Sequence, residues 1–322
     1  MVYLEIAAGL VCLLAGGDAL VRGAVALARR LGISPLLIGL VLVGFGTSTP
    51  ELMTSLEAAF LGAPGIAIGN VVGSNTCNIL LILGLGALLR PIAVAPAAFR
   101  RDGSVMALAA LACLTLAFTG TLEPVIGLGF LLVLAVYLVF SYRQERTVGG
   151  ASAELHRQEA ASVPTAAIEP PSRLPLALLL AFGGLAGVLF GARLLVGGAL
   201  EVAREAGLSE TVLGLTLVAV GTSLPELAAT LVAALRRQGD VALGNIVGSN
   251  IFNVFGILGV TAIVEPIPVP PQILAFDVWV MLAATAALIA AALLWRRLGR
   301  LLGLGFLAAY GAYLAVLFTQ MA

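Results

Sequence analysis

Long apolar stretches recur along the whole chain, and arginine, glycine, proline or acidic residues separate them. A hydrocarbon core about 30 Å thick requires about 20 apolar residues in a helix. Ten stretches reach that length, and they cover residues 3–28, 34–61, 65–89, 103–120, 122–142, 174–200, 209–235, 241–264, 273–295 and 300–320. The pattern therefore predicts an all-α integral membrane protein with ten transmembrane helices.

The segment of residues 143–173 interrupts this pattern. It is rich in Ala, Glu, Arg and Pro, and its apolar residues show no periodicity, which predicts a flexible linker. The linker divides the chain into a first membrane unit, residues 1–142, and a second membrane unit, residues 174–322, with five predicted helices each.

The composition agrees with a membrane environment. Hydrophobic residues make up 61% of the 322 residues and charged residues only 11%, whereas about 25% charged residues is typical of soluble domains. The formal net charge is zero, so the charge balance gives no indication of a nucleic-acid partner. The expected partner is the lipid bilayer.

The basic residues are all arginines, and nearly all of them lie in alternate connections between the predicted helices. By the positive-inside rule these connections, including the linker, face the cytoplasm. Both termini are therefore predicted to be extracytoplasmic. The expected location is the plasma membrane, which in a prokaryote is the inner membrane.

The two membrane units carry the same sequence motif. GTSTPE from Gly46 aligns with GTSLPE from Gly221, and GNVVGSNTCN from Gly69 aligns with GNIVGSNIFN from Gly244, all at a constant offset of 175 residues. Because five is an odd number of helices, the second copy crosses the membrane in the opposite sense. The two five-helix repeats are therefore predicted to be inverted, an arrangement that places substrate sites near the bilayer midplane, where the repeats meet.

One glutamate in each repeat lies deep inside a predicted helix. Glu51 and Glu226 each follow the start of their segment by about 17 residues, which is about 25 Å at 1.5 Å per residue. An ionised side chain at that depth costs about 2.5–3.5 kcal/mol on insertion scales and marks a functional site by default. Pro50 and Pro225 precede the two glutamates, and a proline inside a helix predicts a break at the same depth.

Further oxygen atoms surround both glutamates. The predicted breaks free backbone carbonyl groups in residues 44–49 and 219–224, which is tolerated at membrane depth only where they line a cavity or hold an ion. The hydroxyl and amide side chains expected near the glutamates are Thr47, Ser48, Ser74, Asn78, Thr222, Ser223, Ser249 and Asn253. Oxygen ligands without a histidine or thiolate cluster indicate Na⁺ or Ca²⁺ rather than zinc or copper.

Other polar and small residues have structural interpretations. Asn75 and Asn250 lie off the face of these ligands and are expected to cap or cross-link helices. Asp18 and Arg22 are four residues apart in the first helix, which predicts an internal ion pair. The glycine spacings that begin at Gly69 and Gly244 are typical of close helix packing.

The repeated motifs resemble the α-repeats of the sodium/calcium exchanger family, within the cation/calcium exchanger superfamily. On this resemblance the first motif spans residues 44–84 and the second spans residues 219–259. It implies ten helices, ion sites between the second, third, seventh and eighth helices, and alternating access driven by sliding of the first and sixth. It also covers nearly the whole chain outside the linker.

The same resemblance implies a ligand set. The central acids fall on Glu51 and Glu226, and the metal-binding amides on Asn78 and Asn253. Hydroxyl ligands fall on Thr47, Ser48, Ser74, Thr222, Ser223 and Ser249, and the backbone carbonyl groups of Gly44 and Ala219 complete the sodium ligands. Some relatives carry aspartate where Asn253 stands, including potassium-dependent exchangers, so asparagine argues against potassium coupling.

The function that these features predict is secondary antiport of Ca²⁺ against Na⁺ by alternating access, without a cofactor and in a chain that works as a monomer. Two alternatives remain open from the sequence: an antiporter that couples Ca²⁺ or another divalent cation to H⁺, and a calcium channel. An intramembrane enzyme is not expected, since no nucleophile and base share a helix neighbourhood.

Overall fold

The computed structural model describes residues 2–62, 65–162, 173–205 and 219–321, which are almost entirely helical. The helices are α1 (Val2–Leu31), α2 (Pro35–Ile38), α3 (Phe45–Thr47), α4 (Thr49–Phe60), α5 (Gly65–Cys77), α6 (Gly84–Leu89), α7 (Pro96–Thr119), α8 (Pro124–Ser162), α9 (Leu174–Glu205), α10 (Ala219–Thr222), α11 (Leu224–Leu235), α12 (Gly239–Phe252), α13 (Gly259–Val264), α14 (Val278–Leu294) and α15 (Arg300–Met321). Four π-helical segments, π1 (Gly39–Gly44), π2 (Asn78–Leu83), π3 (Asn253–Leu258) and π4 (Ile273–Asp277), continue these helices.

Eight helical spans of the described residues are long and apolar enough to cross a membrane, and each coincides with a predicted one. The bent pair Pro35–Thr47 and Thr49–Phe60 would form a ninth span, and it coincides with the predicted segment 34–61. Only the end of the predicted segment 209–235 is described, as α10 and α11. The chain is therefore a multi-pass membrane protein, and the count of ten helices stays a prediction.

The helix α8 runs beyond its predicted end. It continues to Ser162, so the first part of the predicted flexible linker is helical, contrary to the sequence interpretation. The absence of apolar periodicity did not exclude a helix in this segment, because Ala, Glu, Gln and Arg have high intrinsic helix propensity. Residues 163–172 lie outside the described part of the chain, and the division into two membrane units stays a prediction.

Both predicted helix breaks are present. Ser48 separates α3 from α4 with φ −78° and ψ 10°, and Ser223 separates α10 from α11 with φ −88° and ψ 6°. In each case the proline lies in the first turn of the following helix, where the missing N–H has no partner to lose. The axis bends by 41° at the first break. Because a new helix begins after each break, each glutamate lies in the first turn of that helix.

The two most buried spans form the centre of the molecule. They are Ile66–Leu89, which includes α5, π2 and α6, and Gly239–Val264, which includes α12, π3 and α13. In each span the α-helix gives way to a π-helical segment at an asparagine, Asn78 in one and Asn253 in the other. Single turns of π-helix inside α-helices are frequent at functional sites.

The long helices α1 and α9 pack backbone against backbone. A methyl group added at Gly9 would lie 2.7 Å from the backbone nitrogen of Leu195, and one added at Gly16 would lie 2.7 Å from that of Val188. Residue numbers rise along one helix as they fall along the other, so α1 and α9 are antiparallel. Large side chains at these glycines would push the two helices apart.

Other close contacts confirm the predicted packing in part. Gly244 packs against the backbone of Leu36, and Gly248 packs against that of Leu40. Among the described residues nothing lies within 4 Å of a methyl group added at Gly69, although residues 206–218 are outside the description.

The predicted ion pair of α1 is also present. Arg22 Nη1 lies 3.6 Å from Asp18 Oδ2, and Arg236 at the end of α11 joins the same carboxylate. The third partner comes from a distant part of the chain, so the spacing within α1 gave no sign of it.

Two short antiparallel strand pairs tie the connections of the two halves together. The strand β1 (Ile92–Ala93) pairs with β4 (Arg297–Leu298), and β2 (Thr121–Leu122) pairs with β3 (Ile267–Pro268). Each pair joins one strand from each half, so the halves are held in a fixed relation outside the helical core.

Candidate functional site

The two predicted glutamates meet in the interior. Glu51 in the first turn of α4 is 1% exposed, and Glu226 in the first turn of α11 is fully buried. The serine three residues before each glutamate hydrogen-bonds the other glutamate, so the two carboxylates belong to one site. Among the described residues neither carboxylate forms an ion pair with an arginine.

Each glutamate accepts a hydrogen bond from the serine of the opposite half. Ser48 Oγ donates to Glu226 Oε1 at 2.9 Å, and Ser223 Oγ donates to Glu51 Oε1 at 3.1 Å. The two bonds are equivalent under the offset of 175 residues. The serine at each helix break therefore holds the carboxylate that follows the other break.

Four buried oxygen atoms of the predicted ligands have no hydrogen-bond partner in the described part of the chain. They are Oε2 of Glu51, Oε2 of Glu226, Oδ1 of Asn78 and Oδ1 of Asn253. Buried polar atoms are nearly always paired, because an unpaired one costs about 1–3 kcal/mol. These four unpaired acceptors lie at equivalent positions of the two halves, and oxygen acceptors of this kind bind cations.

The side-chain nitrogens of Asn78 and Asn253, the two predicted ligand asparagines, both donate hydrogen bonds. Asn78 Nδ2 donates to Asn250 Oδ1 at 3.1 Å, and Asn253 Nδ2 donates to Asn75 Oδ1 at 2.9 Å. Each of these bonds links α5 or π2 to the corresponding helix of the other half. The prediction that Asn75 and Asn250 cross-link helices is therefore confirmed.

A second pair of asparagines holds the backbone next to the glutamates. Asn70 Nδ2 donates to the carbonyl oxygen of Glu51 and to Ser55 Oγ, both at 3.1 Å. These bonds fix α4 against α5. The sequence interpretation did not single out Asn70, although it lies inside the repeated motif.

The equivalent asparagine of the second half makes the same contacts. Asn245 Nδ2 donates to the carbonyl oxygen of Glu226 at 3.2 Å and to Thr230 Oγ1 at 2.8 Å. Its constant offset from Asn70 was the available sequence signal for both residues.

The backbone carbonyl of Gly44 is a meeting point of hydroxyl groups. Ser249 Oγ donates to it at 3.1 Å. Thr47 Oγ1 lies 3.3 Å from the same carbonyl and 3.2 Å from Asn245 Oδ1, and its single proton serves one of them at a time. A cation bound here would compete with donors that the protein already provides.

The remaining predicted ligands are placed less completely. Ser74 is buried on α5. Ala219 and Thr222 begin and end α10, directly after residues 206–218, which lie outside the described part. The structure thus brings Glu51 and Glu226 together with Ser48 and Ser223, whereas the roles of Ser74, Thr222 and the Ala219 carbonyl at the site stay predictions.

The donor set suits a hard cation. The oxygens come from carboxylate, amide, hydroxyl and backbone carbonyl groups, which bind Na⁺ and Ca²⁺ in proteins. No group of three or more His, Cys, Asp or Glu side chains occurs within the described ranges, so these residues offer no cluster of the kind that soft transition metals require.

Known proteins share this sequence and structure over nearly the whole chain. The sequence profile of the family described as sodium/calcium exchanger protein matches residues 1–143 and 176–319. The sodium/calcium exchanger MaX1 of Methanosarcina acetivorans is 33% identical over 98% of this chain and 98% of that protein. The inner membrane protein YrbG of Escherichia coli (strain K12) is 37% identical over 96% of this chain and 94% of that protein.

A solved structure shares the fold. The sodium-calcium exchanger NCX_Mj, soaked with 2.5 mM Na⁺ and 1 mM Sr²⁺, superposes with a TM-score of 0.83 at 32% identity, over 98% of this chain and 97% of that chain. A second structure of NCX_Mj, soaked without Na⁺ and Ca²⁺, gives a TM-score of 0.82. With a buried oxygen site between two related halves, the chain belongs to the sodium/calcium exchanger family of membrane transporters.

Proposed function

We propose that this protein exchanges Ca²⁺ for Na⁺ across the membrane by alternating access, with Glu51 and Glu226 as the shared carboxylates of both ions. The observation that carries the proposal is the set of four buried, unpaired oxygens, two from each half. The family membership supports transport of Ca²⁺ against another cation.

One Ca²⁺ neutralises both carboxylates. Calcium takes 6–8 oxygen ligands, and the two glutamates together with Asn78 and Asn253 supply four that no protein donor occupies. The hydroxyl groups of Ser48 and Ser223 already contact the carboxylates and can turn their own oxygen toward an ion. Two carboxylate charges removed from water need a counter-ion or protons to neutralise them, and a single Ca²⁺ neutralises both.

Sodium fits the neutral part of the same site. The amide oxygens, the hydroxyl groups and the Gly44 carbonyl bind metal cations but do not take up protons near neutral pH. An exchanger of Ca²⁺ for H⁺ would use these oxygens for Ca²⁺ and the two carboxylates for protons, whereas in the proposed cycle the same oxygens also hold Na⁺. The asparagine at position 253 adds no charge, which agrees with exchange that does not require potassium.

Competition for the carboxylates makes the exchange obligatory. If three Na⁺ replace one Ca²⁺, one net charge moves in each cycle, which is worth about 2.3 kcal/mol per 100 mV of membrane potential. We expect Na⁺ to raise the apparent KM for Ca²⁺ without lowering the maximal rate.

The proposed architecture is ten transmembrane helices in two inverted repeats. The antiparallel packing of α1 on α9 and the equivalent hydrogen bonds around the glutamates support it. Since both halves of the site come from one chain, a monomer suffices for transport. We place both termini outside the cytoplasm, because the arginine-rich connections face the cytoplasm.

Uptake of radioactive calcium into proteoliposomes tests the proposal, with Na⁺, K⁺ or pH gradients imposed one at a time. Uptake driven by an outward Na⁺ gradient is the expected result. Uptake driven by the pH gradient alone would show that protons are the counter-ion, and uptake without any opposing gradient would show a channel.

A further inference from the structure

We infer that Asn75 and Asn250 are positioning residues, which turn the side-chain oxygens of Asn253 and Asn78 toward the transported cation. The inference rests on the proposed function of the same site. Asn75 and Asn250 are 4% and 2% exposed, and neither supplies an unpaired oxygen.

The direction of the Asn75 amide is fixed by a backbone group. Its side-chain nitrogen lies 3.2 Å from the carbonyl oxygen of Asn250. A carbonyl oxygen can only accept a hydrogen bond, so the Asn75 atom that faces it must be the nitrogen. The Asn75 oxygen therefore points the other way, toward Asn253.

The orientation of the Asn253 amide follows from the same rule of donor and acceptor. The Asn75 oxygen lies 2.9 Å from the side-chain nitrogen of Asn253. An Asn253 oxygen in that position would repel the Asn75 oxygen, whereas an Asn253 nitrogen donates a hydrogen bond to the Asn75 oxygen. Asn253 therefore presents its nitrogen to Asn75 and its oxygen to the side where no protein donor lies.

The equivalent residues of the other half make the same series of contacts. Asn250 Nδ2 lies 3.5 Å from the carbonyl oxygen of Asn75, and Asn250 Oδ1 accepts from Asn78 Nδ2 at 3.1 Å. The oxygen of Asn78 is left unpaired in the same way. Two backbone carbonyls thus determine which atom of each ligand asparagine a cation meets.

Orientation matters because the two ends of an amide have opposite polarity. A reversed Asn253 would place two N–H groups against the cation and an oxygen against the Asn75 oxygen. Without Asn75 the amide loses the contact that opposes this reversal. Loss of a partner that orients a metal ligand costs about 10–100-fold in metal affinity.

Calcium binding to the purified protein, measured by isothermal titration calorimetry, tests the inference through a double-mutant cycle. Asn75→Ala should bind Ca²⁺ about 10–100-fold more weakly than the unchanged protein. In the Asn253→Asp background the same change should cost little, because a carboxylate presents an oxygen in either orientation. Asn250→Ala in the Asn78→Asp background is the second cycle.

A matched control is available next to Asn75. Thr76 is fully buried, and its hydroxyl group donates within its own helix to the carbonyl oxygen of Val72 at 2.9 Å. Thr76→Val should leave the affinity for Ca²⁺ unchanged. Recovery of binding by the double variant also shows that Asn75→Ala still allows the protein to fold.

Each other outcome overturns the inference. Unchanged affinity in Asn75→Ala excludes a positioning role, and an equal loss in the Asn253→Asp background shows that Asn75 acts on folding alone. If the unchanged protein binds no Ca²⁺, the proposed function fails and the inference fails with it. If the unchanged protein binds Ca²⁺ strongly and Asn75→Ala binds it equally well, the inference fails while the proposed function stands.

Discussion

Replacement of Glu51 by glutamine removes one of two negative charges from the site while it keeps the shape of the side chain. The side chain is 1% exposed, and Oε1 accepts a hydrogen bond from Ser223 at 3.1 Å. A glutamine oxygen accepts the same bond. The change therefore affects the charge of the cation site and spares the packing of α4.

The expected loss follows from Coulomb's law. Two unit charges 4 Å apart interact by about 4 kcal/mol at an effective dielectric constant of 20, and a divalent ion doubles this to about 8 kcal/mol. The empty site regains part of this energy, because two like charges at one site repel each other and the substitution removes one of them. A net loss of about 4 kcal/mol weakens Ca²⁺ binding by about a thousandfold.

Sodium-driven uptake of radioactive calcium into proteoliposomes measures the effect, with protein insertion checked by surface labelling. Glu51→Gln should abolish uptake at Ca²⁺ concentrations that saturate the unchanged protein. Glu57→Gln is the matched control, since Glu57 lies on the same helix and is exposed. Near-normal uptake in Glu51→Gln, or an equal loss in Glu57→Gln, would refute the assignment of the charged site.

Three further predictions follow from the same geometry. Ser48→Ala and Ser223→Ala should each weaken the apparent affinity for Ca²⁺ by about 10–100-fold, because each removes the hydroxyl group that orients a carboxylate of the proposed site, and loss of a group that orients a metal ligand costs about that much. Very different KM values for uptake in the two variants would contradict the equivalence of the halves. Gly44→Ala should lower the melting temperature, because the added methyl group would lie 2.9 Å from two backbone atoms of α12. Overpacking of this kind costs about 1–3 kcal/mol. Gly129→Ala is the control in the same thermal scan, since the space around Gly129 is open. Calcium at 100 times its Kd should stabilise the folded protein by about 2.7 kcal/mol, and a thermal shift that persists in Glu226→Gln would place the ion elsewhere.

The charged centre of the site was predictable from the sequence because the repeat marks it twice. Glu51 and Glu226 follow prolines in apolar segments, and charge at that depth requires a function. The helix breaks at Ser48 and Ser223 were predictable for the same reason, since proline cannot continue the preceding helix.

The end of α8 was not predictable in this way. Its continuation to Ser162 depends on intrinsic helix propensity rather than on an apolar stripe. Propensity alone is a weak guide, because tertiary context overrides it in either direction.

The sequence by itself determined that this chain spans a membrane, that its halves are related, and that Glu51 and Glu226 lie inside. These follow from hydropathy, from the constant offset and from the cost of burying charge. Only the tertiary structure decided that Ser48 bonds Glu226 and that Asn75 bonds Asn253. Hydrogen-bond direction between groups more than 170 residues apart depends on how the two halves dock, and no local pattern encodes that geometry.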